Sequence, residues 1–330
     1  MKNFKLNLQL MADTQVTTQA SLSAEMKTFY DMTLIDEASA NLVHDQFGQK
    51  RPIPSGGGKT IEFRKFSPLA KATTPITEGV TPNGKNLEVT AITATVNQYG
   101  DFIVQSDILE LTALDNTILE ATKLLGKQAG ATLDTVVRDV LQSGTNVTYC
   151  PKIGADGKET AVTSRNDLDA TCKLTVDVVQ QVVAKLRAQN APTIGGKYVA
   201  IIHPYVAYDL MRDPEWIDAH KYTNPTNLYE GEIGEIAGVR FVQTTEAKIY
   251  ANGVFGSLFF GENAYGVTEI TGGGLQTIVK QKGSAGTGDP LDQRSSVGWK
   301  AIKTAEILVQ NYLVRVESCS PRFSATAVAN

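Results

Sequence analysis

Between residues 59 and 106, apolar and polar residues alternate with the two-residue period of β-strands. Ile61 and Phe63 lie between polar neighbours, and a second run rich in β-forming residues extends from residue 86 to about residue 106. Proline and glycine residues separate the two runs and indicate an irregular tip. The pattern therefore predicts a long β-hairpin with a bend at Gly100 and Asp101.

Few large apolar side chains are available to hold this hairpin in place. Its second run contains many Thr and Ala residues, so we expect neither face to bury enough area for a core strand. A two-stranded ribbon alone is marginal in water, because ordering each residue costs about 1–2 kcal/mol of backbone entropy. Two interpretations remain open: the hairpin lies on something outside its own domain, or it forms the edge of a larger sheet.

The longest helical pattern covers residues 116–142. At 1.5 Å per residue, a helix of this length extends over about 40 Å. Gly126 and Gly130 lie within it and predict the close approach of a neighbouring backbone. Its apolar stripe consists of Ile118, Leu125, Ala129, Leu133, Val136 and Val140.

Residues 1–57 are predicted to form an N-terminal arm. Thr, Gln and Ser dominate up to residue 23, and an amphipathic helix is then expected from Ser23 to about Phe47. Pro52 and Pro54 follow this helix and prevent its continuation. The first residues lack the continuous apolar core of a signal peptide, so we expect a chain that is not secreted.

After residue 166 the pattern alternates helices with short strands, as in a compact α/β or α+β domain. A strand over 276–280 and further strands within 296–318 end the chain, and we expect these late strands to pack beside the long helix. The elements predicted before them are a helix over 178–186, a strand over 197–203, a helix that begins at Pro204, a helical piece over 230–236, and strands over 239–242 and 257–260.

The 330 residues include 31 basic and 35 acidic ones, which gives a net charge of −4. This balance argues against a protein whose main task is to bind nucleic acid. Cys150, Cys172 and Cys319 are too widely spaced for a disulfide framework or a metal site, and we expect neither a metal nor a cofactor. No run of about 18 apolar residues occurs, so no membrane-spanning helix is expected.

One short motif is similar to a phosphate-binding loop. Residues 55–60 read SGGGKT, and glycine amides followed by a lysine can bind phosphate. The full motif requires a glycine where this chain has Ile53, and a strand rather than a helix is predicted to follow. We therefore interpret residues 55–60 as a turn.

Two histidines are the remaining candidates for catalysis. A hydrolase would use His44, next to Asp45, or His203 as a base, beside a nucleophile that the fold brings close. His203 precedes Pro204 at a predicted strand end, and we interpret it as a polar cap. His220 is expected at the surface.

Residues 50–71 carry six basic residues and a single acidic one, Glu62. This charge indicates contact with an acidic partner, either a neighbouring subunit or nucleic acid, or else a solvated strand edge protected by lysine. We favour a protein partner. The candidate inter-subunit contacts are Lys59, Ile61, Phe63, Arg64, Lys65 and Phe66.

The predicted parts follow one another as polar arm, protruding hairpin, long helix, α/β domain, glycine-rich return and final strands. This α+β order resembles the Hong Kong 97-like capsid fold of tailed phages. Short strings along nearly all of the chain beyond residue 20 also resemble the N4-type major capsid protein family. They read GKTIEFRKF at 58–66, ITEGVTP at 76–82, YGDF at 99–102, IHP at 202–204, GEIAGVRF at 234–241, DPLDQR at 289–294 and VGWK at 297–300.

The resemblance implies a major capsid protein, without enzymatic activity, that self-assembles into the icosahedral shell of a tailed double-stranded DNA phage. It implies hexamers and pentamers of this chain, portal and scaffolding proteins as partners, non-specific proximity to packaged DNA, and no membrane contact. The shell would assemble in the bacterial host cytoplasm and become the virion capsid. The regions implied are an N-terminal arm (1–57), an extended loop (58–106), a peripheral domain (107–165 and 272–330) with a spine helix at 116–142, and an axial domain (166–271).

Two other hypotheses stay open at this point. The chain can be another virion component, such as a tail or decoration protein, which the shape of its particles would reveal. It can also, as a less favoured hypothesis, be an intracellular hydrolase that uses His203 or His44. Replacement of both histidines would then abolish its activity.

Overall fold

The computed structural model describes residues 32–38, 42–54, 56–66, 69–76, 78–79, 81, 84–112, 117–154, 156–221, 234–284 and 289–330. Much of the predicted N-terminal arm lies outside the described residues. The same holds for most of the helical piece predicted over 230–236 and for the side chain of His220.

The described residues form six α-helices and sixteen β-strands. The helices are α1 (32–38), α2 (Asp107–Thr112), α3 (Thr117–Gln142), α4 (Val176–Ala188), α5 (Pro204–Met211) and α6 (Pro214–Lys221). The strands are β1 (Gln49–Lys50), β2 (Thr60–Phe66), β3 (Val89–Thr95), β4 (Asn97–Ser106), β5 (Val147–Tyr149), β6 (Lys152–Ile153), β7 (Glu159–Thr160), β8 (Tyr198–Ile202), β9 (Glu235–Ile236), β10 (Val239–Gln243), β11 (Lys248–Tyr250), β12 (Val254–Phe260), β13 (Tyr265–Thr268), β14 (Gln276–Lys280), β15 (Arg294–Ile307) and β16 (Leu313–Cys319).

The first sheet is built around β15. This strand pairs antiparallel with β4 along one side and with β14 and β13 along the other, and β1 adds to β13 in parallel. Alternate residues of β15 face opposite sides of the sheet, and its apolar side packs on α3. The prediction that late strands lie beside the long helix is confirmed. The contact joins Leu125, Ala129 and Leu133 to Val297, Trp299 and Ala301.

The bounds of α3 agree with the predicted helix, but the second half of its buried stripe differs. Val136 and Val140, which the prediction placed in the stripe, are only half-buried, and Val140 packs against the edge of a core cluster. Val137 and Leu141 are buried instead, because α3 extends from the first sheet to the second and meets a different surface there. The second sheet contributes Val199, Ile201 and Leu258 to this contact.

The close approach predicted at the two glycines of α3 is confirmed. A methyl group added at Gly126 would lie 2.9 Å from the carbonyl oxygen of Leu34, and one added at Gly130 would overlap the carbonyl oxygen of Ala38. Both carbonyls belong to α1. The glycines therefore let the α1 backbone lie directly on α3.

The N-terminal helix does not reach Phe47 as predicted, because residues 44–47 form turns. The reason is a distant carboxylate: Asp134 of α3 accepts hydrogen bonds from the amides of Val43 at 2.9 Å and His44 at 2.7 Å. These amides are thus bound to α3 rather than to a preceding helical turn.

The second sheet has the order β5-β16-β12-β8-β10-β9, with β11 paired to β12. All five residues of β8 are buried, as the continuous apolar run predicts for an interior strand. The predicted strands at 239–242 and 257–260 and the helix start at Pro204 are confirmed. Helices α4 and α5 complete the core with Val179, Val182, Val206 and Leu210.

Two local predictions are wrong. Residues 235–236 form β9 rather than a helix, because Ala237 and Gly238 both adopt positive φ and make a two-residue hairpin turn into β10. The bend predicted at Gly100 and its neighbour is replaced by continuous pairing of β4 with β15. Gly100 instead allows close packing, since an added methyl group would lie 2.6 Å from the carbonyl oxygen of Trp299.

Candidate inter-subunit surface

Strands β2 and β3 form a two-stranded antiparallel sheet of their own, called here the ribbon. Phe63 lies opposite Ile92 in its register. β3 ends at Thr95, and after one further residue the chain enters β4 of the first sheet. The long hairpin predicted from the sequence is thus divided: the ribbon stands apart from the larger sheets, whereas residues 97–106 belong to one of them.

The base of the ribbon, around Phe63, is buried against the same chain. Phe63 and Ala94 are 3% and 2% exposed. A methyl group added at Gly266 of β13 would lie 2.7 Å from two carbons of the Phe63 ring. Strand alternation thus collects the few apolar side chains of the base on one face. With one buried residue in each strand, this agrees with the expectation that neither face buries enough area for a core strand.

The other end of the ribbon and the segment that joins its strands expose apolar side chains. The described residues between 69 and 88 belong to no helix or strand. Isolated exposed apolar residues are ordinary, but several together in one projecting segment indicate an interaction site. This tip cluster consists of Phe66 (57% exposed), Leu69 (61%), Ile76 (75%), Leu87 (62%) and Val89 (49%).

The six predicted contact residues lie in β2 and just before it. Of these, Lys59, Arg64, Lys65 and Phe66 are exposed, Ile61 is half-buried and Phe63 is buried. Sequence reasoning missed the tip-cluster members that lie beyond β2. Their signal was present, because large apolar residues in a segment rich in proline and glycine have no strand or helix in which to be buried.

Exposed apolar area also occurs on the face of the first sheet that points away from α3. Phe102 of β4 and Ile278 of β14 flank Gly298 of β15 in one row of the sheet. They border a groove of ≈ 320 Å³. On the opposite face, the side chain of Gln128 of α3 donates a hydrogen bond to Asp101 at 2.7 Å and lowers the pKa of that carboxyl group.

Both candidate catalytic histidines have structural partners. His203 follows β8, at the strand end predicted for it, and is the N-cap of α5: its Nδ1 accepts a hydrogen bond from the Tyr205 amide at 3.1 Å. Burial lowers the pKa of His203. His44 donates from Nδ1 to the buried Asp134 at 2.7 Å. In the described part of the chain, these bonds connect the imidazoles to a carboxylate and a backbone amide rather than to a nucleophile.

The remaining motifs also have structural explanations. Gly56 and Gly58 adopt positive φ before β2 begins, as expected for a turn at residues 55–60. The three cysteines are buried and unpaired, and burial raises the pKa of Cys319 to about 11. Among the residues described, no group of three or more His, Cys, Asp or Glu side chains is placed to hold a metal ion. None of the described helices combines the length and hydropathy of a bilayer span.

Solved phage capsids have the same architecture. The chain superposes on the capsid of cyanophage P-SCSP1u with a TM-score of 0.64 at 14% identity, over 84% of this chain and 88% of that one. For the capsid of cyanophage Pam1 the TM-score is 0.64 at 14% identity, over 80% of this chain and 86% of that one. For the capsid of Ralstonia phage GP4 the TM-score is 0.61 at 14% identity, over 84% of this chain and 88% of that one. These likenesses define the class: the protein has a Hong Kong 97-like capsid fold, and the predicted α+β fold class is confirmed.

A family profile then identifies the sequence. The profile of the phage capsid protein family matches residues 12–277, well over half of the chain. The chain belongs to this family and, with this fold, is a major capsid protein. The predicted resemblance to phage capsid proteins is thereby confirmed. No curated protein matches the sequence.

Proposed function

We propose that copies of this chain assemble into a closed icosahedral shell around the double-stranded DNA of a tailed phage, and that the tip cluster of each copy packs on a neighbouring copy. The tip cluster carries the proposal. Its five exposed side chains lie outside the buried core clusters of the described chain, at the end of a ribbon whose strands pair only with each other.

Burial of the tip cluster would supply assembly energy of a useful size. Complete burial of one Leu, Ile or Phe side chain contributes about 1.5–3 kcal/mol. A shell repeats each contact many times, so a modest interface suffices for a stable assembly. A contact between the tip of one copy and a different surface of the next closes into a ring when the rotation permits, which fits hexamers and pentamers.

The exposed basic residues of the ribbon support a protein partner. Lys59, Arg64 and Lys65 lie in or next to β2, while the whole chain has a net charge of −4. A second copy therefore offers the opposite charge. Such attraction orients the approach of two proteins more than it adds affinity, and it weakens as salt increases.

In this proposal the remaining regions have the roles of capsid subunits. Residues 1–57 are the arm. The ribbon and the segment that joins its strands are the extended loop predicted over residues 58–106, whose last part, β4, pairs with β15 of the peripheral domain. Residues 107–165 and 272–330 form the peripheral domain with α3 as its spine, and residues 166–271 form the axial domain around the symmetry axes. Portal and scaffolding proteins are further partners. The shell encloses DNA without specific contacts, assembles in the host cytoplasm and becomes the virion capsid.

Electron microscopy and sedimentation of the purified full chain test shell formation. We expect closed particles of many copies in equilibrium with smaller species. A chain that remains monomeric at every concentration and salt level tested contradicts the proposal.

Replacement of Ile76 and Leu87 by Ser tests the role of the tip cluster. Both residues are exposed, so the free energy of unfolding of the unassembled chain should change by less than about 0.5 kcal/mol each. The concentration needed for assembly should rise by about tenfold or more, since tenfold corresponds to ~1.4 kcal/mol. Val328→Ser, at an exposed position outside the ribbon, is the matched control. Normal assembly of the double variant would contradict the role of the tip cluster, but it would not contradict the proposal that the chain forms a shell.

A further inference from the structure

The ring of Phe63 packs on Gly266 of its own chain, although the residue was a candidate for inter-subunit contact. We propose that Phe63 and Gly266 form a seat that fixes the angle at which the ribbon leaves the protomer, and that both are positioning residues for assembly. The inference rests on the proposed shell function and deepens it, because it says what directs the tip cluster toward a neighbouring copy.

The seat lies on a strand that is held from both sides. Gly266 of β13 pairs with Gln49 of β1 and with Glu306 of β15. The adjacent Tyr265 donates a hydrogen bond from its hydroxyl to the carbonyl of His44 at 2.5 Å. The backbone of β13 therefore has little freedom to move away from the ribbon.

The Phe63 ring can lie against the backbone of Gly266 only because this residue has no Cβ atom. An added methyl group would lie 2.7 Å from two carbons of the Phe63 ring, well inside the favourable separation of about 3.5–4.0 Å. One of the two partners must then move. The crowded atoms lie at the far end of the Phe63 side chain, but Phe63 is buried, which restricts rotation of its ring. Since β13 is paired on both edges and β2 is paired only with β3, we expect the ring and the ribbon that carries it to move.

A small shift at the seat becomes a larger one at the tip. The two strands of the ribbon are joined where they leave the first sheet, because the Val96 amide donates a hydrogen bond to the Lys59 carbonyl at 3.0 Å. Phe63 lies about 13 Å along the strand from Lys59, so a shift of ~1 Å at its ring tilts the ribbon by roughly 4°. The tip cluster lies further from Lys59 along the ribbon, so the same tilt displaces it by more than the shift at Phe63.

A fixed angle favours assembly by pre-organisation. Each copy loses less conformational freedom on joining the shell when its ribbon already points toward the neighbour. A changed angle leaves the protomer folded but presents the tip cluster in the wrong place. The geometry of the particle should therefore respond to substitutions in the seat, even though the seat lies inside one chain.

Gly266→Ala in the full chain tests this inference. Thermal unfolding should show a folded protomer, and electron microscopy should show particles of altered or mixed diameter, with the fraction at the wild-type diameter reduced by about tenfold. Addition of Phe63→Leu shortens the side chain opposite the new methyl group and should restore the wild-type diameter. If Gly266→Ala does not fold, Phe63→Ala empties the seat without crowding β13 and should alter the diameter in the same way.

Gly144→Ala is the matched control, because its methyl group would crowd a side-chain carbon of Leu313 at 2.9 Å, away from the ribbon. We expect it to leave the particle diameter unchanged. Wild-type diameters for the seat variants, an equal change for Gly144→Ala, or no restoration by Phe63→Leu would overturn the seat. These results leave the shell function standing, whereas the absence of particles from the wild-type chain would remove the shell function itself.

Discussion

The long helix α3 and the ribbon both have apolar side chains on one face. The rest of the chain covers this face of α3 but leaves part of that of the ribbon exposed. α3 buries Leu133 and its neighbours under the first sheet and receives α1 on Gly130. The ribbon buries its base at Phe63 and leaves the tip cluster exposed. The comparison suggests that substitutions in α3 act on folding of the protomer, whereas substitutions at the tip act on assembly.

The largest change in the free energy of unfolding is expected in α3, whose apolar face is buried within the chain. Leu133 is buried between α3 and β15, so Leu133→Ala should lower the free energy of unfolding by about 2–5 kcal/mol, through lost burial and the cavity left behind. Urea unfolding of the unassembled chain measures this loss. Leu124→Ala, at an exposed position of the same helix, should cost less than about 0.5 kcal/mol. Equal losses for the two variants would contradict the assignment of the buried face.

Gly130→Ala examines the other side of the same helix. In a free helix this substitution stabilises by about 1 kcal/mol. Here the methyl group would overlap the Ala38 carbonyl of α1, so we expect a net loss of about 1–3 kcal/mol in the free energy of unfolding. A gain in stability would show that the backbone of α1 does not pack directly on α3.

A smaller and pH-dependent effect is expected at His203, which lies between β8 and α5. His203→Ala removes the N-cap of α5 and should cost about 1 kcal/mol, whereas His203→Asn retains a capping side chain. Burial lowers the pKa of His203 from its usual 6.5, so the folded state disfavours the charged imidazole. Stability should therefore decrease as pH falls from 6.5 toward the lowered pKa, and should level off below it.

Thermal unfolding of the wild type and of His203→Asn, from about pH 7.5 to about pH 5, measures that contribution. We expect the wild type to lose more stability than the variant across this range. Parallel curves would contradict the burial of His203 in a neutral state.

The smallest effect is expected from charge on the ribbon. Lys65→Glu should leave protomer stability unchanged and weaken assembly at low salt by about 0.2–1 kcal/mol per contact. In about 1 M salt the difference should vanish, because charges are then screened within about 3 Å. Sedimentation of wild type and variant at both salt levels measures it. No difference at low salt would place Lys65 outside the contact.

Elements with strong periodicity were predictable. The bounds of α3, the buried β8 and the edge strand β14 agree with the sequence patterns, since burial on one side imposes a regular spacing on apolar residues. The end of the N-terminal helix was not predictable, because it depends on the carboxylate of Asp134, which lies 90 residues away from His44. The buried face of the second half of α3 likewise depends on a second sheet that local spacing does not reveal.

The candidate surface was predictable in part. A weakly apolar ribbon followed from composition, but its division from β4 depends on β15, a strand far downstream that pairs with one half of the predicted hairpin only. The burial of Phe63 depends on the missing side chain of Gly266. The inter-subunit role of Lys59, Ile61, Arg64, Lys65 and Phe66 stays a prediction.

Hydrogen exchange, measured on the unassembled chain and on assembled particles, compares the base and the tip of the ribbon most directly. Amides around Phe63 and Ile92 should be protected in both states. Amides of residues 69–87 should exchange freely in the unassembled chain and become protected in particles. Firm protection of residues 69–87 in the lone protomer would contradict the claim that a neighbouring copy completes the ribbon.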